Sequence, residues 1–208
     1  MNELIDRIVA IEWKMFDKAE NASGRAACQD DRDTFDIMRR SQFEAWNEAL
    51  LRSYLADLNE ALTQGRNLLT EKYAYIMEYT VPLEFQEIKD ALPPVSYEKK
   101  IFINKITELC MMGYDEIADA YPRLAAQGRP QYRAQQTDDY PSAEAYMLGE
   151  LSTLSLRTLR LYLDRLLRLS TARRNFSRMI LENTMRKYGF ASLAAAEARL
   201  REAGTASG

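Results

Sequence analysis

The chain contains no histidine. That removes the commonest metal ligand and the side chain that most often acts as a general base near neutral pH. Ser-His-Asp and Cys-His catalysis, histidine-dependent zinc sites and di-iron bundles built on Glu-x-x-His pairs are therefore excluded. Cysteine is nearly absent too. Cys28 and Cys110 cannot make the disulfide framework of a small secreted domain. No apolar run approaches the roughly 20 residues a membrane helix needs. Alternating β-branched runs are missing, so no significant β-sheet is expected. Charge of one sign is also lacking. The formal net charge is −3, which gives no global field toward nucleic acid or an anionic membrane. The first residues, Met1 to Asp6, carry no basic segment followed by an apolar one, so the cytoplasm is the expected compartment.

What is present is helical spacing along nearly the whole chain. The 208 residues, 47% of them hydrophobic and 28% charged, suit a single domain with its own core. The pattern predicts an all-α, compact, orthogonal or bundle-like array of about eight helices. The domain is expected over 1–203, with an internal loop at 127–141 and a disordered tail at 204–208.

Leu4, Ile5, Ile8, Ile11, Met15 and Phe16 form the stripe of a first helix over 2–19, broken at Asn21-Ala22-Ser23-Gly24. Asp33 or Thr34 is expected to cap a second helix that runs to Gln64 with a bend near Ser41, ended by Gly65. A third helix follows over 68–80. Pro82 opens a short helix over 83–91, stopped by Pro93-Pro94. A helix over 96–111 is expected to end at Gly113, and another over 115–126 to be divided by Pro122. Ser142 caps a long helix into the high 160s. The last two helices cover 172–188, closed by Gly189, and 192–202.

Polar groups concentrate in two places. The first is residues 12–47. On the second helix, Arg39 and Gln42 fall where an amphipathic helix buries carbon, so each needs a partner. Asp30, Asp31 and Asp33 in the preceding loop are the partners expected. Such a cluster is either a polar network that pins the loop or a ligand site. Cys28 is read either as a nucleophile or as a small buried hydrophobe. The second place is 65–73. There Asn67 can cap the third helix, and Arg66 and Lys72 could hold an anion near its N-terminus.

The enzyme reading takes Asp31, Cys28 and Tyr73 as catalytic groups. Arg25, Gln29, Arg39, Gln42, Asn47, Arg66 and Asn67 would bind a small anionic metabolite. No metal ligand is assigned and the cofactor stays open. Glu84-x-x-Glu87 and Glu116-x-x-Asp119 could hold Mg²⁺, but such pairs more often mark a solvated helix face. The alternative is a non-catalytic helical interaction or accessory module. Apolar residues exposed on the long C-terminal helix would then form a partner or homodimer surface. The basic stretch from Arg157 to Lys187 shows no aromatic interleaving that suggests base stacking, which argues against nucleic acid.

Two strings carry a family resemblance: EWKMFDKAENASGRAACQDDRDTFDIMRRSQFEAW from Glu12, and GRNLLTEKYAYIMEYT from Gly65. The chain resembles the bacterial family catalogued as domain of unknown function 4125 over nearly its whole length, including the closing run from Asn183 to Gly189. The resemblance implies a stand-alone cytosolic bacterial protein. It implies no activity and transfers no catalytic residue.

Overall fold

The computed structural model describes residues 1–19, 25–137 and 140–205. The break expected at 21–24 lies outside the described residues. Eleven α-helices and no strand occur among the described residues: α1 Asn2–Asp17, α2 Arg32–Phe43, α3 Glu48–Thr63, α4 Leu68–Thr80, α5 Pro82–Ile88, α6 Tyr97–Ala120, α7 Pro122–Ala125, α8 Ala143–Thr153, α9 Leu156–Thr171, α10 Phe176–Lys187 and α11 Leu193–Thr205. The chain is all-α. None of these helices is long and apolar enough to cross a membrane.

The count exceeds about eight chiefly because two expected long helices are each two. The second helix does not bend at Ser41. It stops at Phe43, and Asn47 caps α3 by accepting from the Leu50 amide. The carbonyls released at this corner are taken by distant side chains. Arg165 donates twice to the Ala45 oxygen, at 3.1 and 3.0 Å, and Asn183 donates to the Ser41 oxygen at 3.1 Å. The long C-terminal helix likewise breaks at Leu154. Ser155 caps α9, while its own amide donates to Asp57 of α3 at 3.0 Å. Buried backbone groups must be paired, so these side chains are what make the two corners stable.

Gly113 does the opposite of what its position suggested. It does not end a helix but lies within α6. A Cβ there would stand 2.6 Å from the Asn175 Oδ1. The missing side chain lets Asn175, the cap of α10, donate to the Gly113 carbonyl at 2.9 Å. Gly65 and Gly189 do close helices, at φ of 69° and 87°, where other residues are strained. Pro122 divides the stretch 115–126 as expected: α6 runs to Ala120, and Pro122 begins α7 at its first position. α11 continues past Glu202 to Thr205, so the helix includes Gly204 and Thr205 from the expected tail. Residues 206–208 lie outside the described residues.

The core joins Ile5, Ile8 and Phe16 of α1 to Leu50 and Leu58 of α3, with Ile106, Leu151 and Leu159 from later helices. Phe43, Trp46, Tyr54, Tyr162 and Phe176 add a chain of ring contacts 5.1–5.8 Å apart. A small second core joins Leu124 of α7 to Leu193 and Ala196 of α11. The segment 127–141 is a connector tied down at several points among its described residues. Gln136 donates to the Tyr79 carbonyl at 2.6 Å, and Gln131 to Asp115 at 2.6 Å.

Among the described residues, α4 and α8 make the most extensive helix–helix contact. Gly149 sits at the crossing, where a Cβ would meet the Lys72 carbonyl at 2.8 Å and the Ile76 Cγ1 at 2.5 Å. This crossing sets Lys72 of α4 beside Glu150 of α8.

Candidate functional site

The apolar stripe of α1 contains one carboxylate. Glu12 lies between Ile8 and Phe16 at helical spacing and is 0% exposed. Arg39 of α2 binds it with two parallel bonds, Nε to Oε2 at 2.8 Å and Nη2 to Oε1 at 2.6 Å. The Tyr54 hydroxyl of α3 donates to the same carboxylate at 2.6 Å. The remaining Arg39 nitrogen reaches Gln42 at 2.9 Å and Glu150 at 3.1 Å. Gln42 in turn donates to Glu150 at 2.7 Å. Lys72, only 4% exposed, completes the chain with a 2.7 Å bond to Glu150. Two cations thus balance two carboxylates, drawn from α1, α2, α4 and α8. Buried charges are tolerated only when paired and hydrogen-bonded in this way.

Burial alone would disfavour the Glu150 anion. Arg39 and Lys72, with bonds from Lys72 and Gln42, outweigh burial and hold this carboxyl well below the usual carboxylate range. An acid whose folded value is depressed contributes stability that is complete above its unfolded value, near 4.5, and is lost as pH falls below it. Urea unfolding of the parent should therefore weaken with acid below about pH 4.5, by up to about 1.4 kcal/mol per pH unit from this one proton. Glu150→Gln should start less stable but show a shallower acid limb. Equal slopes in the two proteins would remove Glu150 from the account.

The network has an edge. The Lys72 ammonium lies 4.0 Å from the centre of the Tyr146 ring, and Arg129 covers the same ring at 4.6 Å. The Tyr146 and Tyr73 hydroxyls are 3.1 Å apart. Burial opposes ionisation of Tyr146, but Lys72, the bond to Tyr73 and Arg129 bring its hydroxyl below the ordinary tyrosine value. Tyr73 is pushed the other way, by burial first and then by Tyr146; Cys28 also lies in electrostatic range of it. Arg129 has a carbonyl contact, Pro141 at 3.4 Å, and no carboxylate partner among the described residues.

The residues singled out in the sequence are thus scattered over several roles. Arg39 and Gln42 are in the network, but Arg39 pairs with Glu12 and Glu150, not with Asp30, Asp31 or Asp33. Arg25 is exposed and bonds Asp17 at 2.8 Å and Asp30 at 2.9 Å. Gln29 is buried and bonds the carbonyls of Phe16 and Ala19 and the amide of Ala26, which fastens its own turn to the end of α1. Asp31, in place of Asp33 or Thr34, caps α2 by accepting from the Thr34 amide. Asn47 and Asn67 cap α3 and α4, and Asn67 also donates to the Met15 carbonyl. Arg66 is held by Glu71 through two bonds of 2.7 and 2.6 Å. Cys28 is exposed and Cys110 buried. The Cys110 thiol is pushed up to about 12 by burial. No group of three acidic or cysteine side chains is placed to hold a metal among the described residues.

Sequence reasoning missed Glu12, Tyr54, Arg129, Tyr146 and Glu150. Glu12 alone had a visible signal, an acid in register with an apolar stripe. Two surface clefts, of about 460 and 380 Å³, run along α6 and are lined by none of the network residues.

A family model described as "Protein of unknown function (DUF4125)" matches residues 2–198. No curated protein and no solved structure matches the chain.

Proposed function

We propose, for a chain that belongs to the DUF4125 family and takes no activity from that membership, that it binds and transforms a small anionic metabolite where Tyr73, Tyr146 and Arg129 meet. The observation that carries this reading is Tyr146. Its ring lies against two cations, and its hydroxyl is both depressed in pKa and bonded to a second hydroxyl. Titratable groups perturbed by burial and specific charged partners concentrate at functional sites. In this reading Arg129 receives the carboxylate or phosphate of the ligand. Tyr146 and Tyr73 pass a proton, with Lys72 making the Tyr146 hydroxyl the better donor. Lys72 is itself fixed by Glu150, and Glu150 by Arg39 and Gln42. Cys28 stands at the same edge as the candidate nucleophile. Arg25, Arg39 and Arg66 are not available to the ligand, because carboxylates already hold them.

The test is thermal unfolding in the presence of phosphate, nucleotides and small mono- and dicarboxylates. A member of that panel should raise the melting temperature with its concentration. The rise should vanish in Arg129→Ala and in Tyr146→Phe, while the ligand-free melting temperature of Arg129→Ala stays near the parent's because Arg129 is exposed. A panel without effect sinks the reading.

A second reading, a non-catalytic interaction module, is favoured by one observation. Tyr97, Ile101 and Met112 stand exposed at helical spacing on α6, and Leu167 of α9 is exposed as well.

A further inference from the structure

The geometry points to a second binding site, in the 460 Å³ cleft along α6, that takes an organic ammonium ion with an apolar body. The cleft is separated from the tyrosine edge by α8. Glu144 and Leu148 share the α8 face that lines it, whereas Tyr146 and Glu150 lie two residues further round, about 200° away on the helix.

Its apolar lining is Met111, Met112 and Leu148, and Tyr79 and Tyr132 line it as well. Three carboxylates, Glu108, Asp115 and Glu144, face one guanidinium, Arg133. Arg133 is spent on Glu144, at 3.1 Å through its side chain and 3.0 Å through its amide. Among the described residues Glu108 has only the exposed Lys105 beside it, at 2.9 Å. Asp115 is bonded by neutral donors, the Tyr132 hydroxyl at 2.7 Å and Gln131 at 2.6 Å, and by no cation among the described residues. Glu108 and Asp115 are seven residues apart on one helix face, about 10 Å, with the methionines between them.

One further group needs a partner. Thr107 lines the same cleft and is 6% exposed, yet its Oγ1 makes no hydrogen bond among the described residues. A threonine within a helix can ordinarily bond the carbonyl a turn back. An ammonium group carries donors only. It would therefore match the carboxylate oxygens and a free hydroxyl oxygen together. The Tyr132 ring attracts a cation, the Tyr79 ring being already covered by the Arg133 guanidinium at 5.1 Å, and the methionines accept its hydrocarbon body. An anion would meet the carboxylates and be repelled. The volume fits a ligand of drug-like or smaller size.

The test uses three probes with nearly the same body: 2-phenylethylamine, 2-phenylethanol and phenylacetate. Isothermal titration of the full chain at neutral pH should give saturable one-site binding for the amine. The alcohol should bind at least about tenfold more weakly and phenylacetate not at all. Asp115→Asn and Glu108→Gln should each weaken the amine by about tenfold. Asp115 also anchors Tyr132, so Glu108→Gln, which touches no such anchor, is the variant that separates charge from shape. Arg129→Ala should leave amine binding unchanged, which distinguishes this site from the anion site proposed above. Equal binding of the three probes, amine binding that survives both acid substitutions, or no amine binding up to about 10 mM would each overturn the assignment.

Discussion

Replacing Arg39 with alanine is expected to lower the unfolding free energy by about 3–5 kcal/mol, the range for removing one partner of a buried ion pair. The loss comes less from the missing attraction than from what is left behind. Glu12 is fully buried, and without Arg39 it keeps one bond, from Tyr54. Glu150 would retain Lys72 and Gln42, so the damage concentrates at Glu12. The measurement is the urea midpoint of parent and variant at pH 7. The double variant Glu12→Gln/Arg39→Ala checks the cause, because removing the stranded charge should recover part of the loss. An Arg39→Ala protein with unaltered stability would show the pair to be exchangeable, and the case for Arg39 as a structural hub would fail.

The second large effect is expected at Gly149. Alanine there should gain nearly 1 kcal/mol of helix propensity and still be destabilising, by about 1–3 kcal/mol overall. The reason is contact with backbone. A Cβ at this place meets the Lys72 carbonyl at 2.8 Å and the Ile76 amide nitrogen at 3.3 Å, and neither can turn aside as a side-chain tip can. α4 and α8 would have to part, and Lys72 would move from Glu150 and from the Tyr146 ring as they did. Gly149→Ala should thus also return the Tyr146 hydroxyl toward its ordinary titration, readable as tyrosinate absorbance. Gly128→Ala is the control, because a Cβ there meets only a carbonyl at an ordinary 3.5 Å.

Much of the fold was legible because helix ends announce themselves locally. Gly65 and Gly189 close helices, Ser142, Ser192 and Asn67 cap them, and each of these depends on neighbours within a few residues. The corners at 44–47 and 154–155 were hidden for the opposite reason. Neither holds glycine or proline, and the groups that stabilise them, Arg165 and Asp57, lie 120 and 98 residues away in sequence. Gly113 misled because a glycine at a helix crossing and one at a helix end look alike until the facing helix is known. The site was half legible on the same principle. That Arg39 would be buried and Gln42 partly so followed from their place on the stripe of α2. That their partners would be Glu12 and Glu150 did not follow, since nearby aspartates were chemically just as suitable.

The long reach of the Arg39 network bears on how the chain must be made. Glu150 follows Arg39 by 111 residues. At a translation rate of about 5–20 residues per second, the ribosome spends about 6–22 s between them. Arg39 can pair with Glu12 as soon as it is made, but Lys72, once synthesised, has no carboxylate partner until Glu150 follows. The Lys72 side of the network, and with it the crossing of α4 on α8, can therefore close only after α8 has been made.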